Sequence, residues 1–186
     1  MTLVMIRHGA AKSNQEHRYL GKTDEPLCEE GKAKLEEYSR QQSYPAVDIL
    51  FTSPMKRCVQ TAQILYPDQS PILIEEWTEM DFGAFEGKSY MDLREDERYQ
   101  RWIDSGGTLP FPEGESREDF CLRCERGLQR MIRRVRQMEG NGESKTIGMI
   151  LHGGTIMALL SRYFGGDYFD YQVENGKGYR CTCHII

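Results

Sequence analysis

Long apolar runs are missing from this sequence of 186 residues. No stretch approaches the roughly 20 apolar residues that a membrane-spanning helix needs, and the apolar start of the chain ends at Arg7, too early for a secretory signal peptide. Internal repeats, low-complexity segments and linker-like changes in composition are missing as well. We therefore predict one cytoplasmic domain over residues 1–186, with no membrane partner.

An excess of basic residues is also missing. Lysine and arginine total 24 against 29 aspartate and glutamate residues, which gives a formal charge of −5. Such a chain is not expected to bind nucleic acid, and an anionic substrate must be attracted by a local cluster of cations against the overall field. The sequence leaves the oligomeric state open.

Six cysteines occur without any secretory context, so we expect reduced thiols rather than a disulfide framework. Cys121 and Cys124 share one face of a predicted helix, and with Cys181, Cys183 and His184 they form an alternative zinc set. Neither cluster has the turn that usually surrounds such ligands. The sequence therefore predicts no metal and no cofactor.

Strand-like and helix-like segments alternate along the chain, which is typical of α/β proteins. The predicted strands cover 3–6, 48–52, 71–76, 145–151 and 178–186. The predicted helices cover 29–42 and begin at Ser53, at Ser116 and at about Thr155, and a long loop spans 102–115. Ser53 is expected to cap its helix because Pro54 follows it at the first helical position.

Two histidines stand in the same kind of local sequence near opposite ends of the chain. His8 and His152 each follow a strand-like apolar run and each precede glycine. Ligands of open α/β sheets bind beyond the carboxyl ends of the strands, so the two imidazoles are expected to meet across one crevice. Arg7 adds a fixed positive charge there, which suits a phosphate better than a metal cation. His17 and His184 lack such neighbours and are expected to be surface or packing residues.

Two further residues, Arg57 and Glu79, are predicted to take part in binding a phosphate ester and in its reaction. Arg57 lies in the first turn of the helix predicted after the second strand, where free amide groups favour an anion. Glu79 lies among aromatic residues that can desolvate its carboxyl, raise its pKa and suit it to protonate a leaving oxygen. Histidine is a competent nucleophile when its second ring nitrogen is held, and cations stabilise the charge that develops on a transferred group.

The motifs as a set carry a resemblance to a known family. In chain order they are Arg7-His8-Gly9, Asn14, Gly21 to Gly31 with Asp24-Glu25-Pro26-Leu27, Ser53-Pro54 to Arg57 with Gln60-Thr61-Ala62, Glu79 with Asp81-Phe82-Gly83 and Glu86-Gly87, and His152-Gly153-Gly154. This order resembles the histidine phosphatase superfamily, in its phosphoglycerate-mutase-like branch, over nearly the whole chain. The resemblance implies a three-layer α/β/α sandwich with a mostly parallel central sheet.

The resemblance also implies roles for individual residues. His8 would be the nucleophile that forms a phosphohistidine, and Glu79 would be the proton donor. The phosphoryl group would be held by Arg7, Arg57 and His152, with a further hydrogen bond from Asn14. Gly21 and Gly153 are expected to contribute to substrate binding. The predicted activity is hydrolysis of a small-molecule phosphomonoester.

Departures from the family pattern narrow the branch. Gly154 stands where mutases usually carry asparagine, and the chain is shorter than typical mutases, which favours net hydrolysis. Gly153 stands where the acid-phosphatase branch carries aspartate. The stretch from Glu79 to Gly83 is similar to that of α-ribazole phosphatases of cobalamin biosynthesis, although broad-specificity sugar-phosphate and phosphoglycerate phosphatases share the pattern.

Several alternatives stay open at this point. A mutase that transfers the phosphoryl group, and a non-catalytic protein that binds a phosphorylated ligand, are the other two hypotheses. Substrate choice is expected to depend on 18–27 and 86–115. The arginine-rich run 123–136 is most simply a solvated helix face, with a substrate or partner role as the alternative.

Overall fold

The computed structural model describes residues 1–41, 44–138 and 145–183. The strands are β1 (Thr2–Arg7), β2 (Ile49–Thr52), β3 (Ile72–Leu73), β4 (Thr146–Leu151) and β5 (Gly178–Thr182). The α-helices are α1 (Lys12–Gln15), α2 (Glu29–Arg40), α3 (Lys56–Leu65), α4 (Tyr90–Leu93), α5 (Glu97–Asp104), α6 (Arg117–Met138) and α7 (Gly153–Phe164). Short 3₁₀ helices occupy Glu75–Trp77, Gly83–Phe85 and Tyr168–Tyr171.

The five strands form one sheet in the order β3-β2-β4-β1-β5, in which β5 alone is antiparallel to its neighbour. Strands β1 and β4 run side by side, and Arg7 lies opposite Leu151. The backbone N–H of His8 donates to the carbonyl of Leu151 at 2.9 Å. His8 and His152 therefore leave neighbouring strands at the same edge of the sheet.

Helices cover both faces of the sheet. Successive side chains of β1 alternate between two buried clusters, with Leu3 and Met5 on one face and Val4 and Ile6 on the other. The first cluster is completed by α6 and α7 and the second by α2 and α3. The predicted three-layer α/β/α sandwich with a mostly parallel sheet is confirmed.

Several predicted boundaries are wrong for local reasons. Helix α3 begins at Lys56, because the hydroxyl of Ser53 pairs with His152 and the N–H of Lys56 donates to Asp24 at 2.7 Å. Strand β3 keeps only two residues, because the chain leaves the sheet edge for a 3₁₀ turn that buries Trp77.

Other differences concern where elements end. Helix α7 starts at Gly153 rather than Thr155, and α5 occupies the first residues of the predicted 102–115 loop. The expected start at Ser116 is confirmed, since its hydroxyl accepts the N–H of Asp119 at 3.0 Å. Gln42, the end of one predicted helix, and 184–186, the end of the last predicted strand, lie outside the described residues. Within the described part of the chain, no helix is long and apolar enough to span a bilayer.

Candidate active site

The two strand-end histidines meet at the carboxyl edge of the sheet. The ring centroids of His8 and His152 lie 5.1 Å apart, and both side chains are buried. Nδ1 of His8 lies 2.6 Å from the carbonyl oxygen of Gly9. Because a carbonyl can only accept, Nδ1 of the neutral ring carries the proton and Nε2 keeps a free lone pair. Nε2 of His152 pairs with the hydroxyl of Ser53 at 2.8 Å.

The surroundings keep both rings neutral. Burial, together with the positive charges of Arg57 and Arg7, holds the pKa of His8 well below its ordinary value of 6.5. Burial and the charge of Arg57 lower the pKa of His152 in the same way. At neutral pH the lone pair of His8 is therefore available to attack an electrophile.

Two arginines supply the positive charge of the site. Nη1 of Arg7 donates to the carbonyl of Val173 at 2.7 Å, and the two Nη atoms of Arg57 donate to the carbonyls of Thr23 and Gly21 at 2.9 and 3.0 Å. The Nε atoms of both arginines are buried and have no hydrogen-bond partner among the described residues. Buried donors without partners are costly, and a bound anion is the kind of partner that would satisfy them.

Arg57 is fixed from the helix side as well. Its own carbonyl accepts the hydroxyl of Thr61 at 2.6 Å, and that hydroxyl oxygen accepts the N–H of Gly9 at 3.0 Å. One threonine therefore links the loop after His8 to the first turn of α3. The first amide of α3 is already taken by the carboxylate of Asp24, so this amide is not free to bind an anion.

Glu79 lies across the site from the histidines and is 8% exposed. Its Oε1 accepts the N–H of Met80 at 2.9 Å, and its Oε2 accepts the N–H of Gly154, in the first turn of α7, at 3.3 Å. Burial raises the pKa of Glu79, although these backbone donors and the charges of Arg57 and Arg7 oppose the rise. A buried carboxyl with a raised pKa is suited to protonate a leaving oxygen.

The remaining predicted site residues differ in what they contact. Oδ1 of Asn14 accepts the N–H of Ala11 at 3.0 Å. Gly21 pairs its N–H with the carboxylate of Glu86 at 2.9 Å and its carbonyl with Arg57, so it braces the arginine. Gly153 packs on the other arginine, because a Cβ there would lie 3.3 Å from Nε of Arg7.

A cavity of about 260 Å³ brings four of the predicted site residues together, since Arg7, His8, Asn14 and Glu79 all line it. His17 also lines this cavity, although the sequence suggested only a surface or packing residue. Its side chain is exposed, and its backbone has a φ of +53°, in the left-handed region that favours glycine. Its closeness in sequence to Asn14 was the one available signal for this position.

A second, adjoining cavity of about 750 Å³ is also lined by Arg7 and Glu79. Its walls are rich in aromatic rings, which are Tyr19, Phe82, Trp102, Phe111, Tyr168 and Phe169. The ring of Phe111 lies 5.0 Å from that of Phe82 and 4.8 Å from that of Trp102. The predicted specificity regions 18–27 and 86–115 contribute Tyr19, Trp102 and Phe111, whereas Phe82 and the 3₁₀ turn of Tyr168 lie outside them.

One of the six cysteines touches the site, since Sγ of the buried Cys58 lies 3.5 Å from Nε2 of His152. All six have free thiols. In residues 1–41, 44–138 and 145–183, no three His, Cys, Asp or Glu side chains are grouped so as to hold a metal ion. His184, a member of the alternative zinc set, lies outside the described residues.

One family model and several known proteins are similar to this chain. The model described as the histidine phosphatase superfamily, branch 1, matches residues 3–182. The uncharacterized phosphatase PhoE of Bacillus subtilis is 33% identical over 170 residues, which are 90% of this chain and 80% of PhoE. The adenosylcobalamin/alpha-ribazole phosphatase of Escherichia coli is 27% identical over 89% of this chain and 80% of its own length. The crystal structure of TTHB049 from Thermus thermophilus matches with a TM-score of 0.74 and 31% identity, covering 98% of this chain and 93% of that chain.

Proposed function

This chain belongs to branch 1 of the histidine phosphatase superfamily, and from that premise we propose that it hydrolyses a small-molecule phosphomonoester through a phosphohistidine on His8. Its family and its relative PhoE make it a phosphatase. Glu79 is the proposed proton donor. We also propose that residues 1–186 form a single domain of this family, which the match over 3–182 supports.

One observation carries the proposal. The nucleophilic ring of His8, the donors of Arg7 and Asn14, and the buried carboxyl of Glu79 line one cavity of about 260 Å³. A phosphoryl group in this cavity would lie between a neutral nucleophile and a protonated acid. The positive charge of Arg57 acts on His8, and the neutral ring of His152 lies 5.1 Å from that of His8.

The first step forms the phosphoenzyme. Nε2 of His8 attacks phosphorus, and the bond from phosphorus to the ester oxygen breaks. The carboxyl proton of Glu79 passes to the departing oxygen, which leaves as an alcohol. The guanidinium groups of Arg7 and Arg57 stabilise the negative charge on the three remaining phosphoryl oxygens.

The second step releases phosphate. The carboxylate of Glu79 takes a proton from water, whose oxygen attacks the phosphohistidine. The bond from phosphorus to Nε2 of His8 breaks, inorganic phosphate leaves, and Glu79 is protonated again. All the proposed charge stabilisation in both steps comes from side chains, so we expect activity to survive a metal chelator.

The finer proposal concerns the substrate, for which we favour α-ribazole 5'-phosphate of cobalamin biosynthesis. The Escherichia coli relative bears that activity in its name and is 27% identical. The cavity of about 750 Å³ next to Glu79 supports it from the chemistry, because aromatic walls stack well on the flat benzimidazole ring of such a substrate.

The test is release of phosphate from α-ribazole 5'-phosphate, phosphoserine and 3-phosphoglycerate in the presence of EDTA. We expect turnover by the wild type, no turnover by His8→Ala, and a wild-type phosphoenzyme that is labile to acid and stable to base. Preference for α-ribazole 5'-phosphate would support the finer proposal, and preference for another ester would refute it.

The two alternatives give different results in the same assay. A mutase would move the phosphoryl group between positions of 3-phosphoglycerate and would need a bisphosphate primer. A binding protein would release no phosphate from any ester. Retained turnover by His8→Ala would contradict the phosphohistidine route itself.

A further inference from the structure

Arg123, on the basic helix α6, is more buried than its neighbour Arg126. The side chain of Arg123 is 20% exposed, whereas Arg126, one turn further along the helix, has an exposed side chain. The sequence offered no reason to separate the two. Arg123 turns inward toward the segment of the chain that carries Glu79.

The guanidinium of Arg123 holds the backbone on both sides of Glu79. Nη1 donates to the carbonyl of Thr78 at 2.9 Å, and Nη2 donates to the carbonyl of Glu79 at 3.3 Å. These oxygens belong to the two peptide groups that flank the Cα of Glu79. Because peptide groups are planar, fixing both of them fixes the φ and ψ of Glu79, and with them the direction of its side chain.

Further contacts tighten this arrangement. Nη1 of Arg123 also donates to the carbonyl of Glu76 at 2.9 Å and to the hydroxyl oxygen of Thr78 at 3.0 Å. Several bonds from one planar group restrict the whole segment from Glu76 to Glu79. A lysine ammonium, a single point with three rotatable donors, cannot reproduce this planar set of bonds.

Glu115 holds the guanidinium in place. Its two carboxylate oxygens accept from Nε and Nη2 of Arg123 at 2.9 and 2.8 Å, in the paired geometry of a strong charge-assisted contact. The side chain of Glu115 is 16% exposed. The N–H of Glu115 also donates to the carbonyl of Asp81 at 3.0 Å, just beyond Glu79 in the chain. Arg123 therefore holds the backbone at Thr78 and Glu79, and Glu115 holds it at Asp81.

The side-chain carboxyl group of Glu79 is held separately, by the N–H groups of Met80 and Gly154. Arg123 is absent from the described residues that line the two cavities next to Glu79, so it does not reach the position of a substrate. We propose that Arg123, oriented by Glu115, is a positioning residue that aims the proton donor Glu79 at the leaving oxygen. This inference rests on the proposed function of the same site.

The experiment compares two esters of similar shape that differ in their need for a proton. Phenyl phosphate releases a basic phenolate that requires protonation, whereas the nitro group of p-nitrophenyl phosphate stabilises the departing phenolate. We expect Arg123→Gln to lower kcat/KM, which reports the steps up to the phosphoenzyme, by about tenfold to a hundredfold on phenyl phosphate and by only a few-fold on p-nitrophenyl phosphate, as expected for weakened general-acid catalysis. Arg123→Lys should restore part of the loss.

Three variants make the result interpretable. Arg126→Gln makes the same substitution on the same helix at an exposed position and should leave both esters unaffected. Glu79→Gln gives the full effect of losing the donor. Glu115→Gln should discriminate between the esters in the same direction as Arg123→Gln, and it decides the question if Arg123→Gln does not fold.

The outcomes distinguish failure of the positioning role of Arg123 from failure of the proposed function. The positioning role alone would be overturned if Arg123→Gln and Glu115→Gln lowered kcat/KM equally on both esters while Glu79→Gln lowered it mainly on phenyl phosphate. Equal losses of kcat/KM on both esters with Glu79→Gln would overturn the proposed donor and the inference with it. A loss of kcat/KM that is much larger on phenyl phosphate with Arg123→Gln, Glu115→Gln and Glu79→Gln, while Arg126→Gln has no effect, would support both.

Discussion

Substituting Gly154 with alanine adds a single methyl group next to Glu79, the proposed proton donor, and so tests where that carboxyl must lie. A Cβ at this position would overlap Oε1 of Glu79 and would lie 3.2 Å from two ring atoms of Phe120, which is fully buried. The ring cannot yield, so Gly154→Ala must displace the carboxyl. We expect a displacement of about 1 Å, the distance needed to restore ordinary van der Waals separation.

The expected effect is on kcat rather than on substrate binding. A misplacement of about 1 Å can cost on the order of a hundredfold in rate, and the displaced carboxyl also loses its 3.3 Å bond from the N–H of Gly154. The groups proposed to bind phosphate, Arg7, Arg57 and His152, stay in place. KM should therefore change little.

Steady-state kinetics on phenyl phosphate, with thermal unfolding to verify the fold, measures this effect. Gly153→Ala is the matched comparison, because a Cβ there presses on Nε of Arg7 at 3.3 Å and should raise KM instead. A folded Gly154→Ala protein whose kcat stays within about threefold of the wild type would refute this placement of Glu79.

Three further predictions follow from the same geometry. Activity should fall as the pH rises through the raised pKa of Glu79, because the proposed donor then loses its proton. Activity should also fall in acid, but only well below pH 6.5, where His8 becomes protonated. A profile of rate against pH tests both predictions. Trp77→Ala should lower the free energy of unfolding by about 3–5 kcal/mol in urea titrations, because Trp77 is fully buried; a loss below about 1 kcal/mol would contradict this. Gly21→Ala should raise KM in steady-state assays, because its Cβ would collide with the carbonyl of Met80 and displace the backbone that holds Arg57; an unchanged KM would show that this brace is dispensable.

The sequence predicted the parts of the molecule that depend on local pattern. A short apolar run followed by histidine and glycine marks the ends of β1 and β4, and the parallel pairing of those strands then brings His8 and His152 together. Ser116 was also predictable as the start of α6, because its hydroxyl caps the backbone three residues further on. Such features need no knowledge of distant partners.

The features that sequence reasoning missed depend on distant partners. Ser53 has the local pattern of a helix cap, but its hydroxyl pairs with His152, 99 residues away. Arg123 is one of many arginines on α6, and only its meeting with Glu115 and the Glu79 backbone gives it a distinct role. Neither partnership leaves a periodic or spacing signal along the chain.

The place of β1 in the sheet has a consequence for how the protein is made. β1 pairs with β4 and β5, whose residues are translated last among the strands. The apolar strand β1 therefore remains unpaired while most of the chain is synthesised. Pairings between such distant segments close slowly and expose strand edges during folding. We expect the nascent chain to need shielding of β1, and catalytic competence to arise only after β4 has docked.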